Sequence, residues 1–217
     1  MDKRSDIIAA MLSLERIGMN RGSSGNVSIR DGDHLLVTPS GVPPSDITPE
    51  MIARIPLEGD GRSQGPLAPS VEWRFHREIL RTRPEMGAVV HAHAPWCTVL
   101  ACARKPIPAV HYMIAAFGGT DIPVADYATY GSAELSANVL RAMQGRAGCL
   151  MANHGMVVAG DTIARAMWLA EEIEALAHQY YHTLAIGGPA VLTEAEIADT
   201  ARGFASYGKR SEGKVDA

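Results

Sequence analysis

The architecture is set around residues 26–38, NVSIRDGDHLLVT. Two short runs of strand-like composition, NVSIR and HLLVT, flank Asp31-Gly32-Asp33. A turn of Asp and Gly between two such runs is typical of a β-hairpin, because these residues tolerate the left-handed backbone that a tight hairpin turn requires. We therefore predict a pair of antiparallel strands at this position.

A second strand–turn–strand unit is predicted at residues 148–160, GCLMANHGMVVAG, with its bend at Asn153-His154-Gly155. Segments of helical periodicity alternate with the β-like runs. They span about 5–17, 71–83, 132–143 and 161–185, and a last helix begins near Thr193. The predicted N-caps are Ser5 for the helix at 5–17, Ser70 for the helix at 71–83 and Asp161 for the helix at 161–185. This alternation predicts the α/β class, and the two hairpins predict a sheet with antiparallel content.

Composition excludes several classes of protein. The 217 residues are 47% hydrophobic and 20% charged, which predicts one globular domain over residues 1–217, with a frayed tail from about 209. A net charge of −4 without a Lys/Arg cluster argues against nucleic-acid binding. We expect no membrane segment, because no apolar run reaches the roughly 18 residues that a span needs. Three cysteines without a CxxC pair predict a reducing, cytoplasmic setting.

Three histidines form a candidate metal site. His91 and His93 are two positions apart on the predicted strand GAVVHAHA, so their side chains project from the same face. His154 lies in the bend of the second hairpin, where it could arrive from a neighbouring strand end. Three nitrogen ligands with an open position are typical of a catalytic metal. The alternative is a pair of ordinary strand-end histidines, and the spacing alone leaves it open.

Glu72 is a candidate for acid–base chemistry. It falls at the start of the helix predicted after Pro69-Ser70. A carboxylate at a helix start is also favoured by the helix dipole, so this position alone is explained equally well without any catalytic role.

Two glycine-rich segments could bind an anion. They are Gly22-Ser23-Ser24-Gly25-Asn26 and Thr38-Pro39-Ser40-Gly41. Small and hydroxyl-bearing residues let backbone N–H groups approach a phosphate closely. Plain turns have the same composition, and the pattern by itself does not separate the two interpretations.

Taken in order, these segments resemble the class II aldolase/adducin family, and within it the L-fuculose-1-phosphate aldolases and the related 5-deoxy- and 5-methylthio-ribulose-1-phosphate aldolases. The resemblance rests on GSSGNVSIR, LLVTPSGVP, PSVEWRFH, AVVHAHA, IPAVHYMIAAFGG, YATYGSAELS, NHGMVVAG and ARAMWLAEEIEALAHQYYHTLAIG. It covers nearly the whole chain in one order, which makes it far more specific than any single motif.

The resemblance implies a three-layer α/β/α fold with a mixed, largely antiparallel sheet, and a homotetramer whose active sites lie at subunit boundaries. It implies Zn²⁺, or else Mn²⁺ or Co²⁺, on His91, His93 and His154, with Glu72 and Tyr112 as catalytic residues. The remaining residues implied are Gly25, Asn26, Ser40, Gly41 and Ser70 in the phosphate pocket, and Tyr130, Phe204 and Tyr207 on the aldehyde side. The expected reaction is metal-dependent retro-aldol cleavage of a ketose 1-phosphate to dihydroxyacetone phosphate and an aldehyde.

Two positions depart from the family pattern. Val71 stands where fuculose-phosphate aldolases often carry a serine, which removes one hydroxyl near the phosphate. Tyr130 stands where a phenylalanine is common, on the side of the aldehyde. The second departure bears on which sugar is cleaved.

Other members of the family supply the alternatives. A pentulose-5-phosphate 4-epimerase typically carries Asp-Thr where this chain has Glu72-Trp73. A methylthioribulose-1-phosphate dehydratase and a decarboxylase are further enzymatic alternatives. An adducin-like interaction domain would keep the fold without catalysis, but the histidines and Glu72 argue against it.

Overall fold

The computed structural model describes the backbone of residues 2–206 and the side chains of residues 2–204. Over that range seven strands form the central sheet, in the order β3–β2–β1–β4–β9–β8–β7. They are β1 (Asn26–Asp31), β2 (His34–Val37), β3 (Ala53–Pro56), β4 (Ala88–Ala92), β7 (Val124–Ala125), β8 (Gly148–Met151) and β9 (Gly155–Gly160). A small two-stranded sheet joins β5 (Ile107–Pro108) to β6 (Asp121–Ile122).

Helices cover both faces of the central sheet. In the described range they are α1 (Lys3–Arg16), α2 (Trp73–Thr82), α3 (Pro95–Cys102), α4 (Ala133–Ala142), α5 (Ile163–Leu184) and α6 (Glu194–Ser206). Helices α1, α3 and α5 pack on one face, while α2 and α4 pack on the other. Helix α6 packs on a short 3-10 helix at Tyr112–Phe117. None of the described helices is long and apolar enough to cross a membrane.

The predicted sheet is confirmed: among the described strands every neighbouring pair in the central sheet is antiparallel except β7 with β8. Both faces of β4 are buried. Val90 packs into the core under α1, α3 and α5, whereas Val89 packs into the core under α2 and α4. Because side chains alternate along a strand, His91 lies on the same face as Val89, towards α2.

The helix starts differ from the predicted caps. Helix α1 begins one turn earlier than expected, with Asp2 as N-cap instead of Ser5. The cap of α5 is Thr162, whose hydroxyl accepts from the Arg165 N–H, and not Asp161. Helix α2 begins at Trp73 with Glu72, rather than Ser70, at the N-cap position. Ser70 instead accepts a long 3.4 Å hydrogen bond from the Glu72 N–H.

A single domain over residues 1–217 stays a prediction, and the tail expected from about 209 lies outside the described residues.

Candidate metal centre

The end of β4 and the turn between β8 and β9 bring three imidazoles together. Strands β4 and β9 are antiparallel neighbours, with Ala92 opposite Met156, so the chain beyond Ala92 meets the turn before Gly155. The ring centroids of His91, His93 and His154 are 4.8 to 5.0 Å apart. One potential ligand atom from each lies within 4.8 Å of the other two.

The orientation of His91 is fixed by the backbone of β9. Its Nδ1 lies 2.8 Å from the carbonyl oxygen of Met156. A carbonyl only accepts, so Nδ1 carries the proton and Nε2 presents a lone pair when the ring is neutral. His91 is fully buried, and among the described residues its Nε2 has no hydrogen-bond partner. A buried lone pair without a donor fits a metal ligand.

Glu72 faces the histidines rather than the end of its own helix. Its side chain makes no capping hydrogen bond. Oε2 lies 3.2 Å from His91 Nε2, and Oε1 lies 3.3 Å from His154 Nε2. The Asn26 side-chain amide donates to Oε2 at 3.0 Å. A favourable interaction with the helix dipole therefore does not account for the orientation of the Glu72 carboxylate, which points into the histidine cluster.

The protonation of the cluster follows from burial and from its one carboxylate. Burial, followed by the neighbouring imidazoles, lowers the pKa of both His93 and His154 to about 4. Burial alone would raise the pKa of Glu72, but His91, His154 and Asn26 outweigh it and hold that pKa below its usual value. At neutral pH this gives two neutral imidazoles beside an ionised carboxylate. Neutral imidazole is the form that binds a metal.

These residues fit a divalent cation. Three imidazoles of one cluster with a carboxylate beside them match the donor set of a catalytic zinc site, which keeps one position open. The Glu72 Oε1 atom is buried and, among the described residues, makes no hydrogen bond. A bound cation would satisfy both this oxygen and His91 Nε2.

The backbone around the cluster is held by Asn20. Its Oδ1 accepts a hydrogen bond of 3.0 Å from the His93 N–H. Gly25, with a φ of +75°, packs directly on the same side chain, and a Cβ there would lie 2.3 Å from Asn20 Nδ2. Asn20 thus joins the histidine cluster to the glycine-rich loop that precedes β1.

A cavity of about 380 Å³ opens over the cluster. His93, His154 and Glu72 lie in its wall. The rest of its lining is Ser23, Ser24, Gly25, Asn26, Pro39, Ser40, Gly41, Ser70, Val71, Tyr127, Ala128, Tyr130 and Asn153. The cavity is large enough for a small phosphorylated molecule and has polar groups on one side.

The chain matches the model of a known protein family. The family model described as Class II Aldolase and Adducin N-terminal domain matches residues 5–181. The chain belongs to this family.

Its relatives include aldolases of two kinds. A 5-methylthioribulose-1-phosphate/5-deoxyribulose-1-phosphate aldolase of Rhodospirillum rubrum is 48% identical over 209 residues, covering 96% of this chain and 94% of the relative. An L-fuculose phosphate aldolase of Escherichia coli K12 is 44% identical and covers 95% of each chain. The solved structure of an L-fuculose 1-phosphate aldolase has a TM-score of 0.90 at 36% identity, covering 94% of this chain and 96% of that one.

These likenesses confirm the predicted family, the three-layer fold and the enzyme class, an aldehyde-lyase. The structure also gathers most of the residues that the sequence singled out. The cavity over the histidines includes Glu72, Tyr130 and all five residues predicted for the phosphate pocket. Asn26, however, has both ends of its side-chain amide engaged inside the protein, by Glu72 and by His76.

Two predicted residues lie elsewhere in the chain's own structure. Tyr112 and Phe204 line a separate cavity of about 1060 Å³, with ring centroids 6.3 Å apart. Tyr112 is 49% exposed and does not line the cavity over the histidines. Tyr207 lies outside the described residues.

Sequence reasoning missed three residues around the centre: Asn20, His76 and Tyr127. His76 could have been found, because it is one turn after Glu72 on the same helix and therefore on the same face. Tyr127 lies 56% exposed in the cavity wall beside Tyr130. Asn20 carries no signal in the sequence, since its role depends on where β4 ends.

Proposed function

We propose that the protein is a metal-dependent aldolase that cleaves a ketose 1-phosphate into dihydroxyacetone phosphate and an aldehyde. The observation that carries the proposal is the position of Glu72. Its carboxylate lies 3.2 Å from His91 and 3.3 Å from His154, in the wall of a cavity that is also lined by the glycine- and serine-rich loops. That arrangement puts a proton-transfer group, a cation site and an anion site within one small volume.

His91, His93 and His154 would hold the divalent ion, with zinc as the first candidate and manganese or cobalt as others. When bound, such an ion supplies a Lewis acid, which stabilises the negative charge that develops on the substrate oxygens as the carbon–carbon bond breaks. The protein's own contribution is to keep His93 and His154 neutral through burial, and to fix the ring of His91 through its hydrogen bond to Met156.

The phosphate would bind between the two glycine-rich loops. The backbone N–H of Ser40 already donates to Ala68, and that of Ser70 already donates to Thr38. These serines therefore offer their hydroxyl groups. Gly25 and Gly41 both have positive φ, and without side chains they let an anion approach the backbone closely.

Proton transfer falls to Glu72 on the dihydroxyacetone phosphate half of the substrate. Cleavage removes the proton of the C4 hydroxyl, breaks the C3–C4 bond and leaves an enediolate that is protonated at C3. The ionised Glu72 is suited to carry the proton at C3, because Asn26 holds one of its oxygens while the other makes no hydrogen bond among the described residues and lies 3.3 Å from His154 Nε2. Tyr112 of a neighbouring subunit is our candidate for the proton on the aldehyde oxygen.

A shared site agrees with the exposure of Tyr112. It is half exposed in a second cavity and lies away from the histidines of its own chain. We therefore propose a homotetramer with active sites at subunit boundaries, to be checked by sedimentation equilibrium. The described cysteines are all free thiols, which supports a cytoplasmic location.

We propose that the aldehyde half of the substrate is selected by Tyr127 and Tyr130, which line the cavity over the histidines and are both exposed. The relatives are named for L-fuculose 1-phosphate and for 5-deoxy- and 5-methylthio-ribulose 1-phosphate. We take these three ketose phosphates as the candidates.

A substrate panel tests the proposal. Purified protein loaded with Zn²⁺, Mn²⁺ or Co²⁺ is given each of the three ketose 1-phosphates, and dihydroxyacetone phosphate is quantified. We expect release from at least one of them, abolished by a chelator and restored by metal. Release unaffected by complete metal removal would refute the metal-dependent mechanism. A pentulose 5-phosphate is included for comparison. Its epimerisation, or a dehydrated product from a ketose 1-phosphate, would point to the family alternatives, and no turnover with any sugar phosphate would favour an interaction domain.

A further inference from the structure

His76 is a buried histidine that the proposed chemistry does not use. It lies on α2, one helical turn after Glu72, and is fully buried. Its ring stacks on Phe75, with centroids 4.7 Å apart. Nδ1 lies 2.8 Å from the Ser28 hydroxyl, and Nε2 is hydrogen-bonded to Asn26 Oδ1. A fully buried imidazole with a partner on each nitrogen is held in one orientation.

The directions of these hydrogen bonds follow from the carboxylate. Ionised Glu72 only accepts, so Asn26 must present its NH₂ group to Oε2. The Asn26 carbonyl oxygen then faces His76 and requires a donor, which places the proton on Nε2. His76 Nδ1 is left as an acceptor, and the Ser28 hydroxyl donates to it. The chain from Ser28 to Glu72 thus has one consistent arrangement.

The neutral state of His76 agrees with this arrangement. Burial, and next the charge of His91, lowers the pKa of His76 to about 3 against the opposing effect of Glu72. The ring is therefore neutral near pH 7, and its two hydrogen bonds select the Nε2–H tautomer.

We propose that His76 is a positioning residue that orients the Asn26 amide and, through it, fixes the Glu72 carboxylate against the histidine cluster. The kinetic consequence rests on the proposed function of Glu72. With Oε2 held by Asn26, the carboxylate cannot rotate freely, and Oε1 stays beside His154. If His76 lacked its N–H, the Asn26 carbonyl oxygen would be buried without a donor, and the amide would lose the contact that fixes its orientation towards Glu72.

Three variants separate positioning from packing. His76→Leu fills a similar volume without a donor. His76→Gln puts an amide N–H near the position of the imidazole Nε2. Ile79→Ala removes buried apolar bulk from the same helix and touches none of the hydrogen bonds. Each is assayed for kcat, KM, bound metal and Tm with the ketose phosphate that the wild type cleaves.

We expect His76→Leu to lower kcat by about 10- to 100-fold, because loss of a supporting partner at a metal site has effects of this size. KM and bound metal should change little, and His76→Gln should recover most of the kcat. Ile79→Ala should lower Tm while kcat is retained. An unchanged kcat in His76→Leu overturns the proposal, and so do equal losses in the Leu and Gln variants. If His76→Leu does not fold, Ser28→Ala replaces it, and an unchanged kcat there is equally contrary.

A structural readout keeps this proposal distinct from the proposed function. If the wild type cleaves no ketose phosphate, the proposed function fails, and the arrangement is read from crystal structures of the same variants. Loss of the Asn26–Glu72 contact in His76→Leu and its return in His76→Gln would support a positioning role. An intact contact in His76→Leu would refute it.

Discussion

Gly155 lies so close to Ala92 that a Cβ at this glycine would sit 2.5 Å from the Ala92 carbonyl oxygen and 3.1 Å from Cδ2 of His93. The first distance is shorter than any real Cβ contact, and it involves backbone that cannot yield cheaply. Only glycine fits at the position directly after His154, because the turn that carries His154 packs closely on the end of β4, which carries His91 and is followed by His93.

Gly155→Ala should push the end of β4 and the start of β9 apart. We expect Zn²⁺ affinity to fall about 10- to 100-fold, as for other losses of support at metal sites. The free energy of unfolding should fall by about 1–3 kcal/mol, the usual effect of overpacking. Chelator competition and urea unfolding measure the two. Gly203→Ala, where a Cβ meets nothing within 4 Å, is the control. Wild-type metal affinity in Gly155→Ala would be incompatible with this account.

Glu72→Gln should keep the bound metal and lose most of the turnover. Glutamine retains an oxygen for the Asn26 amide but cannot take up a proton, and a positioned general base contributes roughly 10²–10⁴-fold to the rate. The measurements are kcat and metal content. Glu78→Gln is a matched control on the same helix, where Glu78 pairs with Arg77 and Arg81. A near-normal kcat in Glu72→Gln would return Glu72 to the role of a helix-start acid.

Val71→Ser should lower KM for the phosphorylated substrate more than it changes kcat. Val71 is half exposed in the wall of the cavity beside Ser70. A hydroxyl there would bind a phosphate that does not itself react, and such binding is equal in the ground state and the transition state. Steady-state kinetics of Val71→Ser and Val71→Ala distinguish the added hydroxyl from the lost apolar bulk. A change confined to kcat would contradict a phosphate contact.

Tyr112→Phe should greatly reduce cleavage without changing metal content or assembly, with Tyr181→Phe as a control at another exposed tyrosine. If the site is shared, mixing inactive Tyr112→Phe chains with inactive Glu72→Gln chains should restore part of the activity. Some sites in the hybrid oligomers would then combine both intact groups. Subunits that exchange, as followed by native mass spectrometry, yet remain inactive would show that both residues act within one chain.

His76 should make stability depend on pH. Its pKa is about 3 in the folded protein against an ordinary value of 6.5, so between these values the unfolded chain binds a proton that the folded chain does not. Stability from this group is thus complete above about pH 6.5 and is lost as pH falls, by up to about 1.4 kcal/mol per pH unit. Urea unfolding of wild type and His76→Gln between pH 7 and 4 measures the difference. Equal slopes would show that His76 titrates normally.

The first hairpin could be predicted from the sequence because its turn chemistry is local. Gly32-Asp33 joins β1 to β2 in the predicted hairpin, with Asp31 opposite His34. Strand β3 was missed, since four residues that include Arg54 and Pro56 are too short a run for their alternation to be recognised, and they form a strand by pairing with β2. The N-cap of α1 was wrongly predicted at Ser5, because aspartate is as common an N-cap residue as serine and Asp2 lies three residues earlier. In the structure the Ser5 hydroxyl donates a hydrogen bond to the Asp2 carboxylate.

The residues of the candidate site likewise differ in whether they could be predicted from the sequence. His91 and His93 could be paired from their spacing on one strand. His154 was added because it lies in a second bend after an apolar strand. The roles of Glu72 and of the phosphate residues were decided only by resemblance to a family, because nothing local states which strand ends meet. His76 and Asn20 act on residues 50 and 73 positions away, and such contacts are visible only in three dimensions.

The hydrogen bonds around Glu72 join residues far apart in the sequence, and this determines when the metal site forms during folding. Asn26 reaches Glu72 across 46 positions, and His91 reaches Met156 across 65. Ordering such long loops is entropically expensive, and contacts between distant segments slow the folding of a chain. During synthesis the three imidazoles cannot converge until β9, the last strand in the described part of the chain, has paired with β4. High-affinity metal capture by a refolding chain therefore reports completed assembly of the sheet, and stopped-flow measurement of zinc uptake would time that event.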